Sequence, residues 1–192
     1  MFRRFCLIAL GAGFIDPISA LAGPLPHDDL EQPAHTLVVR DDSISALGPW
    51  GSARQVISVD EFFFSGQPDA AGFAQAAAQG VSVVINIRGP REVGWDVAGA
   101  AQGAGLKYYN EPLLVNASGL DSDSIGRIND LIAQHDGERI LVHCASGNRV
   151  AAWWATHLVE AHRMNADAAV TLARKAGLTS SSLAVRVREQ FR

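Results

Sequence analysis

The sequence predicts an α/β fold: a mainly parallel central sheet flanked by helices, with a helical C-terminus. Three observations predict it. Short apolar runs rich in β-branched residues fall at 56 to 59, 81 to 87 and 139 to 143. Capped helical stretches alternate with them, which is the pattern of parallel strands joined by crossovers. Beyond residue 149 only helical patterns remain.

At the N-terminus Arg3 and Arg4 precede an apolar run from Phe5 to Ile15, and Ser19-Ala20-Leu21-Ala22 places small residues where signal peptidase reads. This order is that of a secretory signal peptide over residues 1 to 22. The run is shorter than the roughly 20 residues needed to span a bilayer. The expectation is an exported protein, periplasmic or secreted, with no stable membrane insertion after cleavage. Cleavage would also remove Cys6, leaving Cys144 as the only cysteine in a compartment where disulfides form. Residues 23 to 50 carry Pro24, Pro26, Pro33 and Pro49 and the pairs Asp28-Asp29 and Asp41-Asp42. They are expected to form a flexible leader with at most one short strand at 36 to 39. Residues 51 to 192 are expected to form one domain. The full chain has a net charge of −4, and loss of the signal peptide makes it one unit more acidic, so no basic footprint for nucleic acid is present.

Within the domain, strands are expected at 56 to 59 and 62 to 64, closed by Gly66-Gln67-Pro68. Asp69 then caps a helix over 70 to 79 that stops at Gly80. The strand at 81 to 87 is apolar enough to be covered on both faces, and Arg88-Gly89-Pro90 breaks it. A helix over 92 to 102, a strand over 106 to 109, a loop from Glu111 to Asp123 and a helix reaching to about 134 follow. The strand at 139 to 143 leads into helices over 149 to 162, 166 to 176 and 181 to 191.

The chemistry concentrates at 139 to 150, Arg-Ile-Leu-Val-His-Cys-Ala-Ser-Gly-Asn-Arg-Val. A thiol between a strand and a helix N-terminus lies among unpaired backbone N–H groups at the positive end of the helix dipole. That setting favours the thiolate of Cys144, the nucleophilic form. The backbone of Ala145, Ser146, Gly147 and Asn148, with the guanidinium of Arg149, can cradle a phosphate over the sulfur. A buried, inert Cys144 and a surface Arg149 are the plainer alternative. Arg88 ends its strand on the edge of the sheet that carries the loop. It either touches substrate or pairs with Glu92. The six histidines are scattered, and neither a metal site nor a need for a cofactor is apparent.

The loop resembles the His-Cys-to-Arg active-site loop of the protein-tyrosine and dual-specificity phosphatases. With its shorter spacing it is similar to the DUF442, or beta-lactamase-hydrolase-like, phosphatase family, whose usual pattern is His-Cys-x-Ser-Gly-x-Arg. Phe64-Ser65-Gly66-Gln67-Pro68, and Val83-Val84-Ile85-Asn86-Ile87-Arg88 with Glu92 beyond, agree with that family, so that the match spans about 53 to 185. The resemblance implies a protein-tyrosine-phosphatase-like fold. It also implies Cys144 as nucleophile, Arg149 as phosphate clamp, a phosphocysteine intermediate, His143 as a residue that orients the loop, and a phosphorylated protein or small molecule as substrate. Two departures bear on turnover: four residues rather than five separate Cys144 from Arg149, and Val150 stands where a Ser or Thr is usual. In tyrosine phosphatases an Asp between the last two strands protonates the leaving oxygen. Here Glu111, Asp121 and Asp123 are the candidates, and the two aspartates equally fit the N-terminus of the following helix. The spacing also resembles the rhodanese loop, in which Cys144 would carry a persulfide. Against that reading, Asn86 stands where rhodaneses have an Asp. A non-catalytic anion-binding module is the third reading.

Overall fold

The computed structural model describes residues 41–192. The expected signal peptide and most of the expected leader lie outside them. The main sheet has six strands, β1 (Ile44–Leu47), β2 (Val56–Val59), β3 (Phe62–Ser65), β4 (Val83–Asn86), β5 (Lys107–Asn110) and, after a small hairpin of β6 (Val115–Asn116) and β7 (Gly119–Leu120), β8 (Ile140–His143). Its order is β1-β2-β3-β8-β4-β5. The first three strands meander antiparallel, whereas β3, β8, β4 and β5 run parallel. Among the described residues six α-helices accompany the sheet: α1 (Ala70–Ala78), α2 (Val97–Gly103), α3 (Ser122–Ala133), α4 (Asn148–His162), α5 (Ala166–Lys175) and α6 (Ser181–Gln190).

The strand that delivers Cys144 is the central one. Val142 of β8 lies between Phe64 of β3 and Ile85 of β4, and every residue of β8 is buried. Its alternating side chains enter two cores, as the two-residue period of a strand requires. Ile140 and Val142 join Phe64, Trp153 and Leu158 beneath α3 to α6, while Leu141 joins Phe63, Phe73, Val84 and Val97 beneath α1 and α2. Helix α4 buries Val150 to Thr156 without a break, so it passes through the core instead of lying on its surface. Cys144, placed between the middle strand and the most buried helix, has little freedom to move.

Three expectations are corrected. The leader expected to run to residue 50 overlaps the sheet: Ile44–Leu47 pairs with Val56–Val59, and Trp50 is buried against Phe63 with ring centroids 5.2 Å apart. Instead of a helix from 92, the chain makes a single 3-10 turn at Pro90–Glu92 and starts α2 at Val97, where the Asp96 carboxylate accepts the Gly99 N–H at 2.8 Å. The stretch from Glu111 to Asp123 holds the β6–β7 hairpin, whose Leu120 N–H donates to Gln190 Oε1 of α6.

Candidate active site

The loop after β8 is held on both sides by backbone. Cys144 N–H donates to Ser65 O at 3.3 Å, Ala145 O accepts Gln67 N–H at 3.2 Å, and Gly66 and Ser146 form an antiparallel bridge. The Phe64 to Pro68 stretch is therefore the wall of the loop that carries Cys144. A side chain at Gly66 would put its Cβ 3.1 Å from Ala145 O, so the close approach of the two segments favours glycine there. Gly147 takes a left-handed φ of +87° as N-cap of α4, and this turns its N–H onto Cys144 Sγ at 3.1 Å. Cys144 is 1% exposed. It sits just before the N-terminus of α4 with a backbone donor already aimed at it.

Arg149 lies in the first turn of α4, and its guanidinium is forked onto Glu92, Nη1 to Oε1 at 2.9 Å and Nη2 to Oε2 at 2.5 Å. Glu92 in turn accepts the Gly89 N–H at 2.8 Å. The bond to Arg149 holds the Glu92 carboxyl below its ordinary value, against the opposing effect of burial. Glu92 raises the Arg149 pKa, and the nearby Cys144 sulfur adds to that. Two of the five guanidinium N–H groups go to Glu92, which leaves donors for an oxyanion over the sulfur. Arg88 Nη1 donates to Gln67 Oε1 at 2.7 Å and Nη2 to the carbonyl of Glu92, with Nε 3.9 Å from the Glu92 carboxylate. Both arginines thus converge on one acid.

His143 is fully buried, edge-on to Phe73 at 5.9 Å, and neither ring nitrogen has a hydrogen-bond partner among the described residues. Burial pulls its pKa down to about 3, so it is a neutral imidazole packed under the loop and not a proton carrier at neutral pH. Asn148 contributes its backbone to the loop, and its side chain links the loop, through Nδ2 to Ser146 Oγ at 3.4 Å, with the segment before α6. Its Oδ1 accepts from Thr179 N–H at 2.8 Å and Ser180 N–H at 2.7 Å, tying the start of α6 to the start of α4. Of the three candidate acids, Glu111 is paired with Arg127 at 2.6 Å, and Asp121 caps α3 through Ser124 N–H at 2.9 Å and Oγ at 2.7 Å. The Ser124 bonds hold Asp121 below the usual range. Asp123 occupies the first turn of α3. None of the three is hydrogen-bonded or ion-paired to Cys144 or Arg149. Among the described residues no cluster of three or more His, Cys, Asp or Glu is arranged to hold a metal.

The model of the phosphatase-like domain of beta-lactamase hydrolase-like proteins matches residues 55–162, more than half of the chain. The chain belongs to this family. Comparison with curated proteins gave no match. Among solved structures, a DUF442 protein of Shewanella putrefaciens CN-32 assigned as a phosphatase is 21% identical, with 77% of this chain and 84% of that one covered and a TM-score of 0.53. P. aeruginosa TpbA, in a cysteine-to-serine form bound to phosphotyrosine, is 17% identical over 82% of this chain and 88% of its own, with a TM-score of 0.58. A protein of Neisseria meningitidis Z2491, also assigned as a phosphatase, is 24% identical over 66% of this chain and 90% of that one, with a TM-score of 0.56. The fold is that of the tyrosine and dual-specificity phosphatases.

Sequence reasoning places Cys144 and Arg149 of this phosphatase-like domain in one loop, and the structure brings them together. It does not identify Glu92 as the partner of Arg149, or Gln67 as the link between Arg88 and the loop. The only trace of the first in the sequence is an acid four residues after Arg88, which points equally to a local pair.

Proposed function

We propose that this phosphatase-like domain is a cysteine-dependent phosphatase that hydrolyses a phosphomonoester of a protein or small molecule by way of a phosphocysteine. The observation that carries the reading is Cys144 Sγ at the start of α4, with the Gly147 N–H 3.1 Å away and the Arg149 guanidinium beside it. The Cys144 thiolate attacks phosphorus, an S–P bond forms, and the P–O bond to the leaving group breaks; the leaving oxygen takes up a proton. Water then attacks the phosphocysteine, the S–P bond breaks with its electrons returning to sulfur, and inorganic phosphate leaves. Arg149 and the loop N–H groups hold the charge that spreads over the equatorial oxygens. Val150 is buried and offers no hydroxyl to the departing thiolate. The Gly147 N–H and the Arg149 guanidinium are the groups beside it.

The test uses residues 23 to 192 with an aryl phosphate, and separately with thiosulfate and cyanide. Phosphate release only in the first assay, a phosphoenzyme trapped by rapid denaturation and labile in mild acid as an S–P bond is, and loss of both in Cys144→Ser are expected, because serine has no base beside it to ionise it. Arg149→Ala should slow release by roughly 10²–10³, the scale of one preorganised charge-stabilising contact. Thiocyanate without phosphate would replace the reading by sulfur transfer, and silence in both assays with phosphate binding would leave an anion-binding module. Export is part of the same proposal and rests on residues 1 to 22. A mature N-terminus at Gly23 in exported material is the expected result, and Met1 in the cytosol is the result against it.

A further inference from the structure

Beside the nucleophile loop lies a cavity of about 300 Å³ whose walls come from two segments. One is the turn Ser52-Ala53-Arg54-Gln55, and the other is the pinned pair of Gly66-Gln67 and Ala145-Ser146. The cavity therefore shares a wall with the cradle over Cys144. The turn is firmly placed: Trp50 and Ala53 exchange both backbone hydrogen bonds at 3.0 Å, both are buried, and Ser52 Oγ donates to Gln67 O at 3.0 Å. Arg54, which directly follows the closed turn, is exposed and has no hydrogen-bond or ion-pair partner among the described residues. The Gln55 side chain has none either. No carboxylate lines the cavity.

A rigid recess with an uncompensated guanidinium, a free carboxamide and no acid favours an anion. We infer that it receives a second anionic group of the substrate, so that Arg54 is a specificity-determining residue for phosphomonoesters that also carry a carboxylate or a second phosphate. This rests on the phosphatase reading of Cys144. The contact is remote from the reacting bond and is made alike in the ground and transition states, so it acts on KM and not on kcat. Arg54 is solvent-accessible, so the preference weakens as salt rises.

The experiment takes aryl phosphates with tethers of increasing length that end in a carboxylate, a phosphonate or the neutral carboxamide. They are assayed with the wild type, Arg54→Ala, Arg54→Glu and, as a charge control on α5, Arg174→Ala. At one tether length the wild type should favour the anionic ends over the carboxamide. Arg54→Ala should reduce that ratio by about tenfold through KM, the value of one charge-assisted hydrogen bond at the low end of its range. Arg54→Glu should reduce it further, and Arg174→Ala should leave it unchanged. The better of carboxylate and phosphonate identifies the kind of second group. Equal ratios in wild type and Arg54→Ala at every tether length, or the same loss in Arg174→Ala, would overturn the inference while the phosphatase reading stands. No turnover of any aryl phosphate would overturn that reading and the inference with it.

Discussion

Arg149 and Glu92 meet as a fork on a carboxylate, although 57 residues separate them in the chain. The pair fixes the plane of the guanidinium at the loop before any ligand arrives. Glu92→Ala should therefore lower kcat by about tenfold, equivalent to about 1.4 kcal/mol of lost orientation. KM should change less, because removal of the negative charge also leaves Arg149 a stronger attractor of oxyanions. Steady-state kinetics on an aryl phosphate checks this, and a kcat at or above the wild-type value would show that Glu92 restrains Arg149 instead of aiming it.

Gly147 offers a test of the loop's shape. A Cβ there meets nothing nearer than 3.6 Å, so the cost of Gly147→Ala comes from the left-handed backbone and not from collision. That cost is roughly 1–2 kcal/mol of stability, read as a lowered denaturation midpoint. If the chain relieves the strain by rotating the peptide, the N–H leaves Cys144 Sγ, and turnover should fall by more than the stability change predicts. Unchanged activity in a destabilised variant would mean that the Gly147 N–H does not assist the sulfur.

Acid should weaken the fold in a defined window. His143 and His157 are held neutral by burial, with pKa values of about 3 and about 4, His162 adding to the effect on His157. The unfolded chain takes up protons near pH 6.5. The stability is thus fully present above that value and is lost as pH falls from there toward the folded values. Glu138, brought to about 2 chiefly by Lys107 and then by Ser82 and His135, acts with the same sign. Its contribution is present above the unfolded carboxylate value and fades as pH falls through the folded one. Urea midpoints should drop steadily from pH 7 to pH 4, and His157→Gln should flatten the slope over the upper part of that range. A flat profile would mean that the imidazoles are reached by water in the fold.

Trp50 should behave as a core residue despite its place beside Pro49. It is 3% exposed and packs on Phe63. Trp50→Ala should cost about 3–5 kcal/mol, seen in the denaturant midpoint. A loss under 1 kcal/mol would return the segment to the status of a leader.

The parts of the fold that the sequence makes legible are those whose signal is local. The apolar run of β8, the cap Asp69, and the apolar stretch that opens α4 at Val150 each act within a few residues, and the structure has the elements there. Strand β1 escapes this reading because an edge strand has one partner: Ile44–Leu47 exposes its middle residues and carries no buried alternation. The start of α2 is displaced because Gly94 and Trp95 intervene before the Asp96 cap, and helical spacing from Glu92 does not register that break. Within the site, the thiol and the arginine are legible because one loop holds them. Glu92 on Arg149 and Gln67 on Arg88 depend on which strand ends lie side by side, and that is decided by the sheet order.

The bridge between Gly66 and Ser146 separates two kinds of change that selection can make. Because backbone atoms close the loop, the Ala145 and Ser146 side chains, both exposed, carry none of the hydrogen bonds that hold Cys144 in place. They can vary, together with the turn that faces them, while Cys144 stays where it is. The surface around the loop is thus free to change chemistry without moving the thiol, whereas exchange of Gly66 or Gly147 disturbs the loop in a single step.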